Sequence, residues 1–294
     1  MKLAIMGYGV VGTGVAQLLA RNNESITAQS MQPTMQLQHI LDLRDFPGDP
    51  FEKLVTHDFD VILNDPEVGI VAETMGGLHP AFAFVLALLR AGKSVVTSNK
   101  ELVAEKGYEL LQAAKAHNVN FLFEASVGGG IPVLRPLSQC LTANKITEVA
   151  GILNGTTNFI LSRMIEDAMP FAEALRLAQE NGYAEKDPAA DIEGRDACRK
   201  ICILATLAFG RHIYPRQVRT EGISKLTLED IAYADSYGCN IKLLGQARRL
   251  PDGRIAAEVA PMLVPRKNLL ASVGDVYNAI LIRGDAVEDV LFYG

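Results

Sequence analysis

Lys2-Leu-Ala-Ile-Met-Gly-Tyr-Gly-Val-Val-Gly12 decides the fold of the first half of this chain. A short apolar strand pattern, Lys2 to Met6, runs directly into a Gly-x-Gly-x-x-Gly loop, and the helical run Val15 to Arg21 follows. That context gives the glycines their physical meaning. Gly7 permits a tight turn, Gly9 lets a pyrophosphate approach the backbone, and Gly12 lets helix and strand pack closely. The helix N-terminus then meets the phosphates with its dipole and free N–H groups. A dinucleotide site at the first strand–helix turn of a Rossmann-type parallel sheet is expected; a plain βα turn is the competing account.

The segment Asn22 to Gln36 is polar and without a clear period, so a loop is expected there. Leu37 to Asp45 restores a strand pattern. An acidic residue near the end of the second strand takes the ribose hydroxyl in such folds, whereas a nearby Arg accommodates a 2′-phosphate. Asp42 and Arg44 are both in place, which leaves NAD and NADP open, with Arg44 favouring NADP. Strands are then expected at Phe59 to Leu63, Gly69 to Thr74, Ser94 to Thr97 and Asn120 to Ala125, with helices from Ala81 to Ala91 and Glu101 to His117. Such alternation implies a parallel sheet with ligands at the carboxyl ends of its strands. Thr74-Met-Gly-Gly77 and Thr97-Ser-Asn-Lys100 sit at such ends, so Met75, Ser98 and Lys100 are candidates for contact with a cofactor.

Glu124 is read as lying in an apolar strand just before Ala-Ser-Val-Gly-Gly-Gly-Ile-Pro132. A buried carboxylate there needs donors or a cation. Backbone N–H groups of the glycine turn satisfy the first need, and a hard cation held by oxygens alone satisfies the second. After Pro132 the alternation stops. Helices are expected at Leu134 to Leu141, Phe159 to Asp167, Pro170 to Gln179 and Arg195 to Phe209. Strands are expected at Lys145 to Leu153, Ile255 to Ala260 and Met262 to Val264, and a hairpin from Val276 to Tyr293. The chain is thus divided into a Rossmann-type α/β domain, residues 1–132, and an α+β domain, residues 133–294, whose sheet needs cover and is expected to carry oligomerisation.

The chemistry concentrates in Gly182-Tyr-Ala-Glu-Lys-Asp-Pro-Ala-Ala-Asp-Ile-Glu-Gly-Arg-Asp-Ala-Cys-Arg-Lys200. Glu185, Asp187, Asp191, Glu193 and Asp196 face only Lys186, Arg195 and Arg199 before Lys200. The following Ile201 to Phe209 is apolar nearly all round and stopped by Gly210, which marks a buried helix. Asp196 and Lys200 are four apart and share one stripe of it. A carboxylate and an ammonium at the mouth of a buried helix are costly unless paired or used.

Composition narrows the function classes. The chain has 294 residues and a net charge of −6, from 28 Lys and Arg against 34 Asp and Glu, which argues against a nucleic-acid partner. Its apolar runs are too short to cross a bilayer, and Gly7 comes too early for a signal-peptide core. Cys140, Cys198, Cys202 and Cys239 form no C-x-x-C pair, and His39, His57, His79, His117 and His212 have no metal spacing. A cytoplasmic enzyme fits these features.

Four further motifs stand in order with the glycine loop: Thr-Ser-Asn-Lys-Glu, Glu-Ala-Ser-Val-Gly-Gly-Gly-Ile-Pro, Gly-Ile-Leu-Asn-Gly-Thr-Thr-Asn-Phe-Ile-Leu (Gly151 to Leu161) and the Gly182–Lys200 run. Together they resemble homoserine dehydrogenases over essentially the whole chain. The resemblance implies interconversion of L-homoserine and L-aspartate 4-semialdehyde with NAD(P), on the route to threonine and methionine, by a homodimer. It implies that Gly9, Val10, Val11 and Gly12 form the pyrophosphate loop, with Arg44 near the adenosine phosphate, Lys100 beside nicotinamide and substrate, and Gly182 against the cofactor. Glu185 and Asp196 match substrate carboxylates, with Asp191 positioning Lys200 or the substrate, and Lys200 matches the proton-transfer lysine. Assigning Lys200 as acid/base and Lys100 as electrostatic partner leaves the reverse open. Glu124, Val127, Gly129 and Ile131 match a sodium site. Family members usually continue with a Gly-x-Gly-Ala-Gly…Pro-Thr-Ala-Ser segment, and many carry an amino-acid-binding regulatory domain; this sequence stops at Phe292-Tyr-Gly294 with neither. Two rival readings are a semialdehyde dehydrogenase acting through a thiol ester, for which Cys140 is the only candidate nucleophile, and a truncated, inactive nucleotide-binding module.

Overall fold

The computed structural model describes residues 1–30 and 34–294. The chain divides into two compact units, Met1–Ser126 and Val127–Gly294.

In the first unit, β1 (Lys2–Met6), α1 (Val10–Ser30), β2 (Gln36–Leu41), β3 (Val55–Thr56), α2 (Phe59–Asn64), β4 (Val68–Glu73), α3 (Ala81–Arg90), β5 (Ser94–Thr97), α4 (Lys100–Ala116) and β6 (Phe121–Leu122) follow in turn. Their strands form one parallel sheet in the order β3-β2-β1-β4-β5-β6. The expected α/β architecture is therefore present, with its switch of direction between β1 and β4. Ile5 and Met6 of β1 are fully buried, and Ile40, Val71 and Val95 of the neighbouring strands are buried with them.

Three local expectations are corrected. Residues 22–30 are the second half of α1, not a loop; the remainder of that loop, residues 31–33, lies outside the described residues. Val15, Leu19 and Ile26 do share one core-facing stripe, but Asn23 interrupts it, because its Nδ2 donates to the carbonyl of Met35 at 2.7 Å. Phe59 to Leu63 is helix α2 instead of a strand. Asp58 caps it by accepting from the Asp60 N–H at 2.9 Å, and Phe59 stacks on Phe84 of α3 at 4.0 Å. A five-residue apolar run fits either period, so tertiary packing decided. Finally, β6 ends at Leu122, and Glu124 opens a 3₁₀ turn, Glu124–Ser126, rather than lying inside the strand.

The second unit holds β7 (Ile146–Ile152), α5 (Gly155–Glu166), α6 (Phe171–Glu180), α7 (Ala189–Ile192), α8 (Arg195–Phe209), β8 (Arg219–Thr220), α9 (Leu228–Ser236), β9 (Cys239–Arg249), β10 (Ile255–Pro265), β11 (Ala279–Gly284) and β12 (Glu288–Tyr293). Its sheet runs β12-β11-β7-β9-β10-β8, antiparallel except where β8 joins β10. The expected hairpin is the β11–β12 pair. The two strands expected between Ile255 and Val264 are one, and the short helix expected near Leu134 is a single π turn, Pro136–Cys140. Strand β9 and helix α9 have no counterpart in the sequence reading. β9 is central and buried, yet Lys242 and Gly245 break its apolar pattern. Gly245 is required: a Cβ there would lie 2.8 Å from the Leu153 side chain and 3.1 Å from Ile201 Cβ. The lack of a side chain there lets α8 lie directly on the sheet.

Candidate active site

The glycine loop has the geometry that its spacing promised. Gly7 takes φ +91°, and a Cβ on it would meet the Met75 backbone at 2.8 Å; a Cβ on Gly12 would come within 2.0 Å of the Gly7 carbonyl. Thr74 fastens the loop by donating its hydroxyl to the Gly7 carbonyl at 2.7 Å. Gly9, by contrast, has open space where its Cβ would be, and Val10 behind it is 93% exposed. The N-terminus of α1 is thus an uncovered row of backbone donors beside a cradle that only glycine leaves empty. A pyrophosphate fits that arrangement.

Arg44 and Asp42 stand at the end of β2. The Asp42 carboxylate accepts from the Tyr8 N–H at 2.7 Å and from Arg44 through Nε at 3.0 Å and the second guanidinium nitrogen at 3.1 Å. Hydrogen bonding from Arg44 holds the Asp42 carboxyl down at about 2, against the opposing effect of burial. Arg44 remains largely exposed and lies 5.0 Å from the Phe46 ring centre. Arg44 is thus held in place by Asp42 with its guanidinium still reaching solvent.

At the carboxyl ends of β4 and β5 lies a buried network that the sequence reading missed. Glu73 is fully buried and accepts from the Thr97 hydroxyl at 2.5 Å and the Met75 N–H at 2.9 Å. Thr97 in turn accepts from the Asn99 N–H at 2.9 Å, and Asn99 binds the Gly77 carbonyl at 2.6 Å and caps α4 through the Leu102 N–H at 3.0 Å. Lys100 is the first residue of α4, immediately after this cap, with Ser98 just before it. The signal for the network was an acid closing the apolar run Gly-Ile-Val-Ala-Glu73.

The second unit gathers the carboxylates and the second lysine. Lys200 Nζ is 2.7 Å from Asp196 Oδ2 and donates to the Leu153 carbonyl at 2.7 Å. Asp196 is 2% exposed. Asn154, which the sequence reading passed over, caps α5 by accepting from the Thr157 N–H at 2.9 Å, while its Nδ2 donates to Asp191 at 2.7 Å and Asp196 at 2.9 Å. Asp191, Asp196 and Lys200 are therefore brought together. Gly194, with φ +77°, and Gly222, where a Cβ would lie 2.1 Å from the Ile192 carbonyl, hold the corner between α7 and α8. Glu185 is exposed on the loop after α6, its backbone carbonyl accepting from Gln179 at 3.0 Å, and Gly182 is exposed with φ +76°. Tyr183 between them is anchored by its carbonyl to the Thr156 hydroxyl at 2.7 Å.

Val127 and Ile131 are buried, and Gly128 and Gly129 take φ +77° and +58° in the turn closed by the Ile131 N–H on the Gly128 carbonyl at 2.9 Å. Among the described residues no group of three or more His, Cys, Asp or Glu is placed to hold a metal, and no helix is long and apolar enough to cross a membrane. Cys140, the rival nucleophile, is an exposed thiol at the end of the π turn.

Comparison with known proteins agrees with this geometry. Residues 132–294 match the family described as homoserine dehydrogenase, and residues 7–124 match the homoserine dehydrogenase NAD binding domain. A homoserine dehydrogenase from Synechocystis is 42% identical over 302 residues, spanning 100% of this chain and 69% of that protein. The crystal structure of a homoserine dehydrogenase from Thiobacillus denitrificans superposes with a TM-score of 0.93 at 43% identity, covering 100% of this chain and 68% of that one. A hyperthermophilic archaeal homoserine dehydrogenase mutant in complex with NADPH gives a TM-score of 0.82 at 25% identity, covering 100% and 91%.

Proposed function

The chain belongs to the homoserine dehydrogenase family of NAD(P)-dependent oxidoreductases, and from that premise we propose how its residues divide the work. The first unit holds NADP(H) and the second holds L-homoserine or L-aspartate 4-semialdehyde, in the biosynthesis of threonine and methionine. The bound nicotinamide supplies a hydride donor or acceptor. Gly7, Gly9, Val10, Val11 and Gly12 form the pyrophosphate cradle, Arg44 takes the 2′-phosphate, and Met75, Ser98, Lys100 and Gly182 complete the cofactor contacts. Arg44 at the end of β2, and a similar homoserine dehydrogenase solved in complex with NADPH, favour the phosphorylated cofactor.

The observation that carries the substrate half is the Asp196–Lys200 pair. The substrate ammonium needs counter-charge, which Asp196 and Glu185 supply, with Asp191 beside them. The hydroxyl proton needs an acceptor during oxidation. Lys200, held by Asp196 and the Leu153 carbonyl at the mouth of α8, is the group that exchanges that proton, with Lys100 as the electrostatic partner. Holding the reacting carbon for hydride transfer is then a matter of position.

A sodium ion at Glu124, Val127, Gly129 and Ile131 is supported by donor chemistry: one carboxylate and backbone oxygens, a set that suits a hard cation. A homodimer through the second sheet is supported by Met262 and Leu291, which stay only partly buried against the cluster of Ala150, Ile152, Leu244 and Leu281. Four thiols with no disulfide among the described residues fit a cytoplasmic setting. The test of the whole reading is direct: homoserine added with NADP should raise the absorbance of the reduced cofactor, and a protein that binds NADP but turns over no homoserine would contradict it.

A further inference from the structure

We infer that Asn154 is a positioning residue for the substrate carboxylates, acting by fixing Asp196 and Asp191 through its side-chain amide. The inference rests on the assignment of Asp196 to the substrate ammonium. Asn154 is 6% exposed and sits in the turn from β7 to α5. Its Oδ1 accepts from the Thr157 N–H, so the amide orientation is fixed and both Nδ2 hydrogens are left to donate. They go to Asp191 at 2.7 Å and Asp196 at 2.9 Å. One neutral group thus holds two carboxylates that would otherwise repel each other.

The same turn grips the other half of the pair. Leu153, the preceding residue, accepts from Lys200 Nζ. Residues 153 and 154 therefore hold both members of the pair on α8, Lys200 through a carbonyl and Asp196 through an amide. Gly155 then lets the chain turn under the loop at residue 276, since a Cβ on it would lie 2.5 Å from the Val276 carbonyl. An aspartate at position 154 would cap α5 equally well. The cap uses only the amide oxygen, and the carboxamide brings in addition two donor hydrogens, which an aspartate lacks.

The experiment compares Asn154→Ser, Asn154→Asp and Asp196→Asn by steady-state kinetics, NADPH titration and thermal melting. Asn154→Ser keeps an oxygen for the cap but replaces two amide hydrogens by one hydroxyl hydrogen on a shorter side chain, so it cannot hold both carboxylates. Its homoserine KM should rise about 10-fold or more, the size of one lost charge-assisted hydrogen bond, with NADPH affinity unchanged. Asn154→Asp keeps the cap and places a third carboxylate in the cluster; its raised KM should fall toward the parent value as pH is lowered from 8 to 6, because a protonated carboxyl can donate again. If Asp196→Asn raises the homoserine KM and both Asn154 variants stay within twofold, Asn154 only caps the helix and the inference fails. Should Asn154→Ser fail to fold, the pH profile of Asn154→Asp decides, and if both unfold the role is structural and the inference fails. If Asp196→Asn itself leaves KM unchanged, the underlying assignment is what fails.

Discussion

Lys200 Nζ lies 2.7 Å from Asp196 Oδ2, one turn apart on α8, with the Leu153 carbonyl as its second partner at 2.7 Å. An ion pair this buried contributes little net stability compared with apolar side chains of similar size. Lys200→Ala should lower turnover by about 10²–10⁴-fold while homoserine binding changes much less. Asp196→Ala should raise the homoserine KM strongly with nucleotide affinity nearly unchanged. Both are read by steady-state kinetics with cofactor titration. A purely structural pair would instead show both variants losing about 3–5 kcal/mol of stability together, with no substrate-specific defect.

Arg44→Ala should weaken NADPH binding by roughly 1.5–3 kcal/mol and NADH binding far less. The released Asp42 carboxylate becomes available to a ribose hydroxyl, which moves preference further toward NADH. Fluorescence titration of both cofactors checks this; equal loss for the two would take Arg44 out of contact with the 2′-phosphate.

Thr97→Val keeps the shape of the side chain but removes both the donor to Glu73 and the acceptor for Asn99. Leaving buried polar groups unsatisfied costs about 1–3 kcal/mol, so chemical denaturation should register that loss. Because Asn99 caps the helix that begins at Lys100, turnover should fall as well. Thr97→Ser should restore both. A variant with parental stability and turnover would mean that Glu73 is satisfied without Thr97.

Lys242 is 2% exposed, donating to the Asn158 side chain at 3.1 Å and the Val273 carbonyl at 2.6 Å. Desolvation lowers its pKa to about 8. Below pH 8 folded and unfolded chains both carry the proton. From there to the ordinary lysine value the unfolded chain binds more protons, so this group's contribution to stability rises with pH. Relative to Lys242→Met, the parent should therefore gain up to about 3 kcal/mol between pH 8 and 10.5. A pH-independent difference in denaturant unfolding would place the ammonium in contact with water.

Replacing sodium by a bulky organic cation should lower the melting temperature or turnover, and Glu124→Gln should blunt that response. Indifference of the intact protein to the ion would leave Glu124 satisfied by backbone donors alone.

Much of this was legible in the chain itself. Helix α8 begins at Arg195 and ends at Phe209 as expected, because Gly194 and Gly210 both take left-handed conformations at its ends and the run between is apolar. The strand–glycine–helix start and the alternation of the first unit were equally readable. Where the period was short or interrupted, reading failed. Phe59 to Leu63 fits strand and helix alike, Asn23 breaks the stripe of α1, and β9 carries a buried lysine in its middle.

What the sequence by itself determined is local: the turn that only glycines can make, the two sides of an i,i+4 stripe, and the order of motifs that marks the family. Asp196 and Lys200 could be paired on paper because 3.6 residues per turn puts them on one face. Tertiary structure alone decided the partners of that pair. Asn154 is 42 residues from Asp196, and Leu153 is 47 from Lys200; Thr97 is 24 from Glu73. No backbone period links such positions. They meet because sheet register and burial bring strand ends together, and a buried polar group, once there, must find a donor or acceptor in whatever segment the fold has placed beside it.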